Sequence, residues 1–144
     1  MTVEAGNGSA ARIAAAVRAG ERTAPDVVEQ SLSRIAVTNG AINAFTDVLA
    51  ERARGRAAAL QQLPPAERAR LPLAGVPFAV KNLFDVAGLR TRAGSRIELD
   101  RAPASRDALL VERLEAAGAV LVGALNMDEY AYGFTTEKSH VGAT

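Results

Sequence analysis

Two short runs of the chain are apolar at almost every position, and they limit the folds that it can adopt. The runs span residues 76–80, where Pro77 is the one irregular residue, and residues 119–122. A strand that is apolar on both sides must be covered on both faces, as in a sheet that lies between helices. Segments with helical periodicity alternate with these runs, so the sequence predicts an α/β architecture.

The first 62 residues are predicted to be mainly helical. Ser9 and Thr23 are suitable N-terminal caps, while Gly20 and the pair Asn39-Gly40 are typical of helix ends. The predicted elements are helices at 10–19 and 25–38, a strand near 43–48 and a helix that continues to about residue 62. A short, proline-containing connection follows at 61–72 and is expected to be exposed.

The second half of the chain alternates strand and helix signals. The strand at 76–80 is followed by an irregular segment at 82–104. Ser105 and Asp107 then indicate the start of a helix that ends at Gly118, directly before the strand at 119–122. With 144 residues, the chain has the length of one domain with one core.

Charge and composition exclude several classes of function. The 17 lysines and arginines are balanced by 16 acidic residues, so the broad positive surface of a nucleic-acid-binding protein is missing. Cysteine is absent and His140 is the single histidine, which argues against disulfides, a cysteine nucleophile and a metal site built from these ligands. No apolar run reaches the ~18 residues that a membrane span needs. We therefore expect a soluble, cytoplasmic protein without nucleic-acid, membrane or metal partners.

Lys81 stands at the end of the first apolar run, and two interpretations of it are open. A lysine at a strand end commonly covers the strand with its aliphatic stem and keeps its ammonium group in water. The alternative is a general base, which needs a pKa lowered from about 10.4 toward about 7. Burial among Phe78, Leu83 and Phe84 would supply part of that change, so this interpretation predicts a mostly buried amine that points into a cleft.

The chain resembles the N-terminal part of amidase-signature hydrolases. The resemblance rests on LPLAGVPFAVKNLFDVAGLRTRAGS and LEAAGAVLVGALNMDEYAYGFTTEKSHVGAT, and it is strong over residues 71–144. It implies a mixed sheet flanked by helices, and cleavage of amides through an acyl-serine intermediate by a Ser–cis-Ser–Lys triad, without a metal or organic cofactor. Lys81 corresponds to the lysine of that triad. Residues 1–144 would then be the N-terminal portion of a single amidase domain, with 1–62 mainly helical and 71–144 the start of the catalytic core.

Within this family, the segments AVKNLFDVAG and NMDEYAYGFTTE are most similar in sequence to the carboxybiuret hydrolase branch. That branch implies a small linear amide as the substrate and a homodimer with a small accessory subunit. The chain departs from it at Lys138 and Val141, where the branch usually has asparagine and tyrosine. The A subunit of the glutamyl-tRNA amidotransferases is the alternative, although it usually has Lys-Asp where this chain has Lys81-Asn82.

Both triad serines of the family follow its SHYGAT motif, and here Thr144 ends the corresponding motif. The catalytic domain is therefore expected to be incomplete at the C-terminus, and the 144 residues to be inactive alone. If covering elements are missing, its apolar strands leave unpaired edges, and poor solubility is expected. An alternative to an enzyme is also open: the chain would be a non-catalytic remnant or an interaction module.

The NMDE motif at 126–129 resembles a block that lies near the active-site cleft in the family. Asp128 and Glu129 are also ordinary residues for an acidic helix start, which is the role that we predict for them. Three aromatic residues fit either a pocket lining or packing beneath the strand at 119–122: Tyr130, Tyr132 and Phe134.

Ser95, Ser139 and His140 are the other residues with reactive side chains that we considered. Neither serine matches a triad position of the family or lies in a strand–Gly-x-Ser-x-Gly–helix setting, so both are interpreted as turn residues. No Asp or Ser is patterned with His140 as a triad. We expect this histidine on the surface or in a loop.

Overall fold

Helices and strands alternate along the computed structural model, which describes residues 9–133, 135–137 and 140–144. The helices are α1 (Ala10–Ala19), α2 (Ala24–Ile42), α3 (Ala50–Gln62), α4 (Pro65–Arg68) and α5 (Leu109–Ala116). The strands are β1 (Phe45–Val48), β2 (Pro77–Lys81) and β3 (Val120–Leu125), and short 3₁₀ turns lie at Ile97–Asp100 and Glu129–Ala131. Within the described ranges, no helix is both long and apolar enough to cross a membrane.

The three strands form one mixed sheet in the order β1-β3-β2. β2 runs parallel to β3, and β1 runs antiparallel to it. The predicted α/β class with a mixed sheet and flanking helices is therefore confirmed. β3 is the central strand because its positions are apolar on both sides, which makes it suitable only for a place covered on both faces.

Alternate residues of β3 belong to two separate apolar clusters. Val120 and Val122 pack with the buried residues of α1, α2 and α3, and Leu121 packs with Val111 of α5 and Val80 of β2. Because successive side chains of a strand point to opposite faces, these clusters lie on the two faces of the sheet. Both faces of β3 are thus covered by the chain itself. This strand therefore exposes no apolar face that would cause poor solubility. Poor solubility stays a prediction, since β2 has no strand on its outer side in the described part of the chain.

The helix boundaries differ from the prediction where side chains have distant partners. α2 passes Asn39-Gly40 because the Asn39 side chain bonds to β1 instead of capping: its Nδ2 donates to Phe45 O (3.1 Å), and its Oδ1 accepts from the Phe45 N–H (2.7 Å). The helix ends at Ile42 and is capped by Asn43, whose φ of 54° is in the left-handed region. α5 begins at Leu109, so the predicted start at Ser105 and Asp107 is wrong.

Asp107 takes part in an ion cluster that joins α3 to α5, the helices on opposite faces of the sheet. Arg52 donates through Nη1 to Asp107 Oδ1 (3.0 Å) and through Nη2 to Glu115 Oε2 (2.9 Å). Asp107 Oδ1 also accepts from the Ala87 N–H (2.8 Å). The hydrogen bond from Arg52, followed by that from the Ala87 N–H, holds the pKa of Asp107 below its usual value. The hydrogen bonds to Asp107 and then to Glu115 raise the pKa of Arg52.

Gly123 lies where β1 and β3 approach closely. A Cβ atom on this residue would be 2.5 Å from Asp47 O and 2.7 Å from Phe45 Cδ1. Gly123→Ala is therefore expected to lower the free energy of unfolding by about 1–3 kcal/mol, because the two strands must move apart. Pulse proteolysis in urea at low protein concentration measures this change.

Gly55→Ala is the matched control for Gly123→Ala. Gly55 lies within α3, and a Cβ atom there would meet nothing within 4 Å. The same substitution is expected to stabilise the chain by roughly 0.5–1 kcal/mol, because alanine favours the helix. Equal effects of the two substitutions would show that the close approach of β1 and β3 is not what requires glycine at position 123.

Candidate active site

The carboxyl ends of the parallel strands β2 and β3 lie at the same edge of the sheet. Lys81, the last residue of β2, is opposite Leu125, the last residue of β3. Asn82 and Asn126 follow directly, and both are buried. Ligands of open α/β sheets bind outside the carboxyl ends of the strands, and Lys81 lies at this edge.

The side chain of Lys81 is exposed, so the prediction of a mostly buried amine that points into a cleft is wrong. The physical reason is the place of β2, which is the outer strand of the sheet in the described part of the chain. Its apolar neighbours Phe78 and Phe84 pack in the cluster that contains Val111 of α5. Among the described residues, the Lys81 ammonium group has no hydrogen bond or ion pair.

Asn82, in contrast, uses each of its polar groups. Its backbone N–H donates to Leu125 O (3.0 Å), and its carbonyl oxygen accepts from the Ala93 N–H (2.7 Å). Its side-chain oxygen accepts from the Arg92 N–H (2.8 Å). Its side-chain nitrogen donates to two residues of β1, namely Thr46 Oγ1 (3.0 Å) and Asp47 Oδ2 (3.2 Å). Sequence reasoning missed this hub, because an asparagine after a strand is an ordinary loop residue and its partners are distant in sequence.

A cavity of about 100 Å³ borders this edge of the sheet. Lys81 is not among the described residues that line it, although Asn82 is. The lining residues are Thr46, Asn82, Arg92, Gly94, Ser95, Arg96, Leu99, Asn126, Met127, His140 and Val141. Within the described ranges, no three His, Asp or Glu side chains are grouped so that they could hold a metal ion.

Ser95 is buried in this cavity wall and lies in a turn, as predicted. Its hydroxyl donates to Glu129 Oε1 (2.7 Å) and accepts from the Ile97 N–H (3.2 Å). The same Glu129 oxygen is 3.6 Å from His140 Nε2. His140 is exposed in a turn, which agrees with the prediction of a surface or loop position, whereas Ser139 lies outside the described residues.

The prediction that Asp128 and Glu129 form an acidic helix start is wrong. Residues Glu129–Ala131 form a single 3₁₀ turn, and Tyr130 has a φ of 51°, which no right-handed helix accommodates. Asp128 is 5% exposed and its Oδ2 accepts from the Thr136 N–H (3.1 Å), so it braces a loop. Tyr130 and Tyr132 are 53% and 96% exposed, so neither packs beneath β3 and neither lines the cavity. Phe134 lies outside the described residues.

Two asparagines hold the last residues of the chain beside this site. Asn43 Nδ2 donates to the carbonyl oxygens of Val141, Gly142 and Ala143 at 3.1, 3.2 and 3.1 Å. Asn126, which follows β3, donates to Gly142 O (2.9 Å) and to Asn43 O (3.1 Å). Residues 141–143 are thereby fixed next to the end of β3.

The family model described as Amidase matches residues 26–144. Over 128 residues the chain is 53% identical to AtzE, a 1-carboxybiuret hydrolase subunit of Pseudomonas sp. (strain ADP), in a match that covers 89% of this chain and 28% of that protein. Over 125 residues it is 49% identical to the A subunit of the glutamyl-tRNA(Gln) amidotransferase of Anaeromyxobacter dehalogenans (strain 2CP-C), which covers 87% of this chain and 25% of that protein.

Solved structures show the same fold. A structure described as a vestigial protein complex that reveals the evolutionary origins of an s-triazine catabolic enzyme matches with a TM-score of 0.85 and 51% identity, over 94% of this chain and 30% of that one. The 6-aminohexanoate cyclic dimer hydrolase matches with a TM-score of 0.80 and 31% identity, over 95% of this chain and 27% of that one. The chain spans less than a third of the length of these relatives.

Proposed function

Because this chain belongs to the amidase family, we propose that it supplies the catalytic lysine of an amidohydrolase that cleaves the C–N bond of a small linear amide. The position of Lys81 carries the proposal: it ends β2 beside the end of β3, and the next residue lines the cavity. The exposed amine is open to reacting groups that approach from outside these strands.

Lys81 is the general base of this proposed reaction, within a Ser–cis-Ser–Lys triad. Its neutral amine takes a proton from the hydroxyl of the cis-serine, and the cis-serine takes one from the nucleophilic serine as that oxygen attacks the amide carbonyl. Backbone N–H groups stabilise the negative charge on the carbonyl oxygen. The leaving nitrogen receives the proton as the C–N bond breaks, and water then hydrolyses the acyl-serine. In this proposal both serines of the triad come from a segment that is not among the 144 residues.

A carboxybiuret-like amide is the proposed substrate, because the relative at 53% identity belongs to a 1-carboxybiuret hydrolase. The alternative, the A subunit of a glutamyl-tRNA amidotransferase, is supported by a relative at 49% identity. Asn82 favours the hydrolase, since the amidotransferase branch usually has aspartate at this position. A homodimer with a small accessory subunit, in the cytoplasm, belongs to the same proposal. The description of one similar structure as a protein complex supports the presence of a partner subunit.

A chimera tests the activity. Residues 26–144 replace the matching segment of the relative from Pseudomonas sp. (strain ADP), so that the serines come from that relative. We expect the chimera to release ammonia from 1-carboxybiuret, with the unaltered relative as the positive control. Hydrolysis of glutamine in its place would favour the amidotransferase alternative. A chimera that folds and hydrolyses neither amide would contradict the proposal and support a non-catalytic remnant or interaction module.

A further inference from the structure

Lys81 and Asn82 are neighbours in the sequence, but their side chains differ in exposure and in hydrogen bonding. The Lys81 side chain is exposed and has no polar partner in the described part of the chain. Asn82 is 3% exposed, and its backbone and side chain are hydrogen-bonded at every polar group. The position of the Lys81 amine therefore depends on the backbone at the end of β2, which the hydrogen bonds of Asn82 fix.

The hydrogen bonds of Asn82 join three segments of the chain to the end of β2. These segments are β1, through Thr46 and Asp47, the end of β3, through Leu125, and the loop that contains Arg92 and Ala93. Removal of the side chain would take a hydrogen bond from each of three half-buried residues, Thr46, Asp47 and Arg92, so the segments would shift to recover hydrogen bonds. Such a shift moves the Cα atom of Lys81.

We propose that Asn82 is a positioning residue, which holds the end of β2 where the Lys81 amine reaches the proton that it removes. The inference rests on the proposed function, because a general base acts only within hydrogen-bond distance of its proton. Asparagine suits this place because one side chain must accept from the Arg92 N–H and donate to the Asp47 carboxylate. An ionised aspartate accepts but does not donate, and it would repel Asp47.

Substitutions of Asn82 in the chimera test this role. A displacement of about 1 Å costs on the order of 100-fold in rate, so Asn82→Ala is expected to lower kcat about 100-fold while KM changes little. Asn82→Asp is expected to lower kcat as well, since it places two carboxylates side by side. The double variant Asn82→Asp with Asp47→Asn exchanges donor and acceptor, and it is expected to recover most of kcat.

Asn39→Ala is the matched control. Its amide also bridges two elements, α2 and β1, through the N–H and carbonyl of Phe45, but it makes no hydrogen bond to Asn82 or to the residues that Asn82 binds. This variant is expected to lower the melting temperature and to leave kcat unchanged. Thr46→Val, which removes one partner of Asn82 with little change in shape, is expected to fold and to lower kcat by a smaller factor.

The outcomes separate this inference from the proposed function. If Asn82→Ala and Asn39→Ala lower the melting temperature alike and both keep kcat, or if the double variant recovers nothing, Asn82 has only a structural role and the inference is wrong. In that case Lys81→Ala would still be inactive. Full activity of Lys81→Ala would instead overturn the proposed function, on which the inference rests.

Discussion

Lys81→Ala is expected to lower kcat of the chimera about 10⁴-fold, at the upper end of the range for loss of a general base. No other group then takes the proton from the cis-serine, so the nucleophilic serine stays a neutral hydroxyl. Lys81→Arg is expected to be as inactive, because a guanidinium group stays protonated at neutral pH. Ammonia release from 1-carboxybiuret measures both.

The exposure of Lys81 makes this result easy to interpret. Its side chain has no polar partner among the described residues, so its removal is expected to leave the melting temperature unchanged. Arg90→Ala is a suitable control, because Arg90 is another exposed cation shortly after β2 and is expected to keep full activity. Substantial turnover by Lys81→Ala or Lys81→Arg would show that a different group is the base.

Arg52→Met is expected to lower the free energy of unfolding by about 2–4 kcal/mol, the largest effect on stability that we predict. The cluster is mostly shielded from water, with side-chain exposures of 26% for Arg52, 15% for Asp107 and 18% for Glu115. Methionine keeps the apolar stem of Arg52 but leaves two carboxylates together without their cation. Pulse proteolysis in urea gives the change in the unfolding midpoint.

The effect of Arg52→Met is expected to depend on pH. The pKa of Asp107 is lower in the folded chain than its usual value, chiefly because of the hydrogen bond from Arg52. Its contribution to stability is therefore present above the unfolded pKa of about 3.9 and is lost as the pH falls through the folded pKa. We expect a large difference between the wild type and Arg52→Met at pH 7, and a much smaller one at the lowest pH that the fold tolerates.

Arg54→Met is the control on the same helix. Arg54 also contacts two carboxylates, Glu29 and Glu51, but all three side chains are about half exposed or more. Water and salt screen such pairs, so the unfolding midpoint is expected to stay almost unchanged. A loss of stability equal to that of Arg52→Met would contradict the role that we give to burial.

The helices and strands that could be predicted from the sequence are those that depend on residues close together in the chain. The helix at 10–19 is observed at those residues, since Ser9 accepts from the Arg12 N–H and Gly20 ends the helix in a left-handed conformation. The strands at 76–80 and 119–122 are observed within one or a few residues, as Pro77–Lys81 and Val120–Leu125. Runs that are apolar on both sides fit a covered sheet and little else.

The features that were missed depend on residues far apart in the sequence. Lys81 was expected to be buried because its neighbours are apolar, but Phe78 and Phe84 pack with the α5 cluster and β2 is left at the edge. The hydrogen bonds from Asn82 to Thr46 and Asp47 are invisible in a local pattern. Asp107 looks like a helix cap, and only the fold shows that Arg52 binds its carboxylate.

The central place of β3 also determines the order in which the chain acquires structure as it leaves the ribosome. In the described part of the chain, β1 and β2 each pair only with β3, which is made last. The backbone hydrogen bonds of α1, α2 and α3 are local, so we expect these helices to form before the sheet, whereas both strand pairings must close long loops. A nascent chain that stops short of residue 120 is therefore expected to lack both strand pairings, and both are expected to form once β3 has been synthesised.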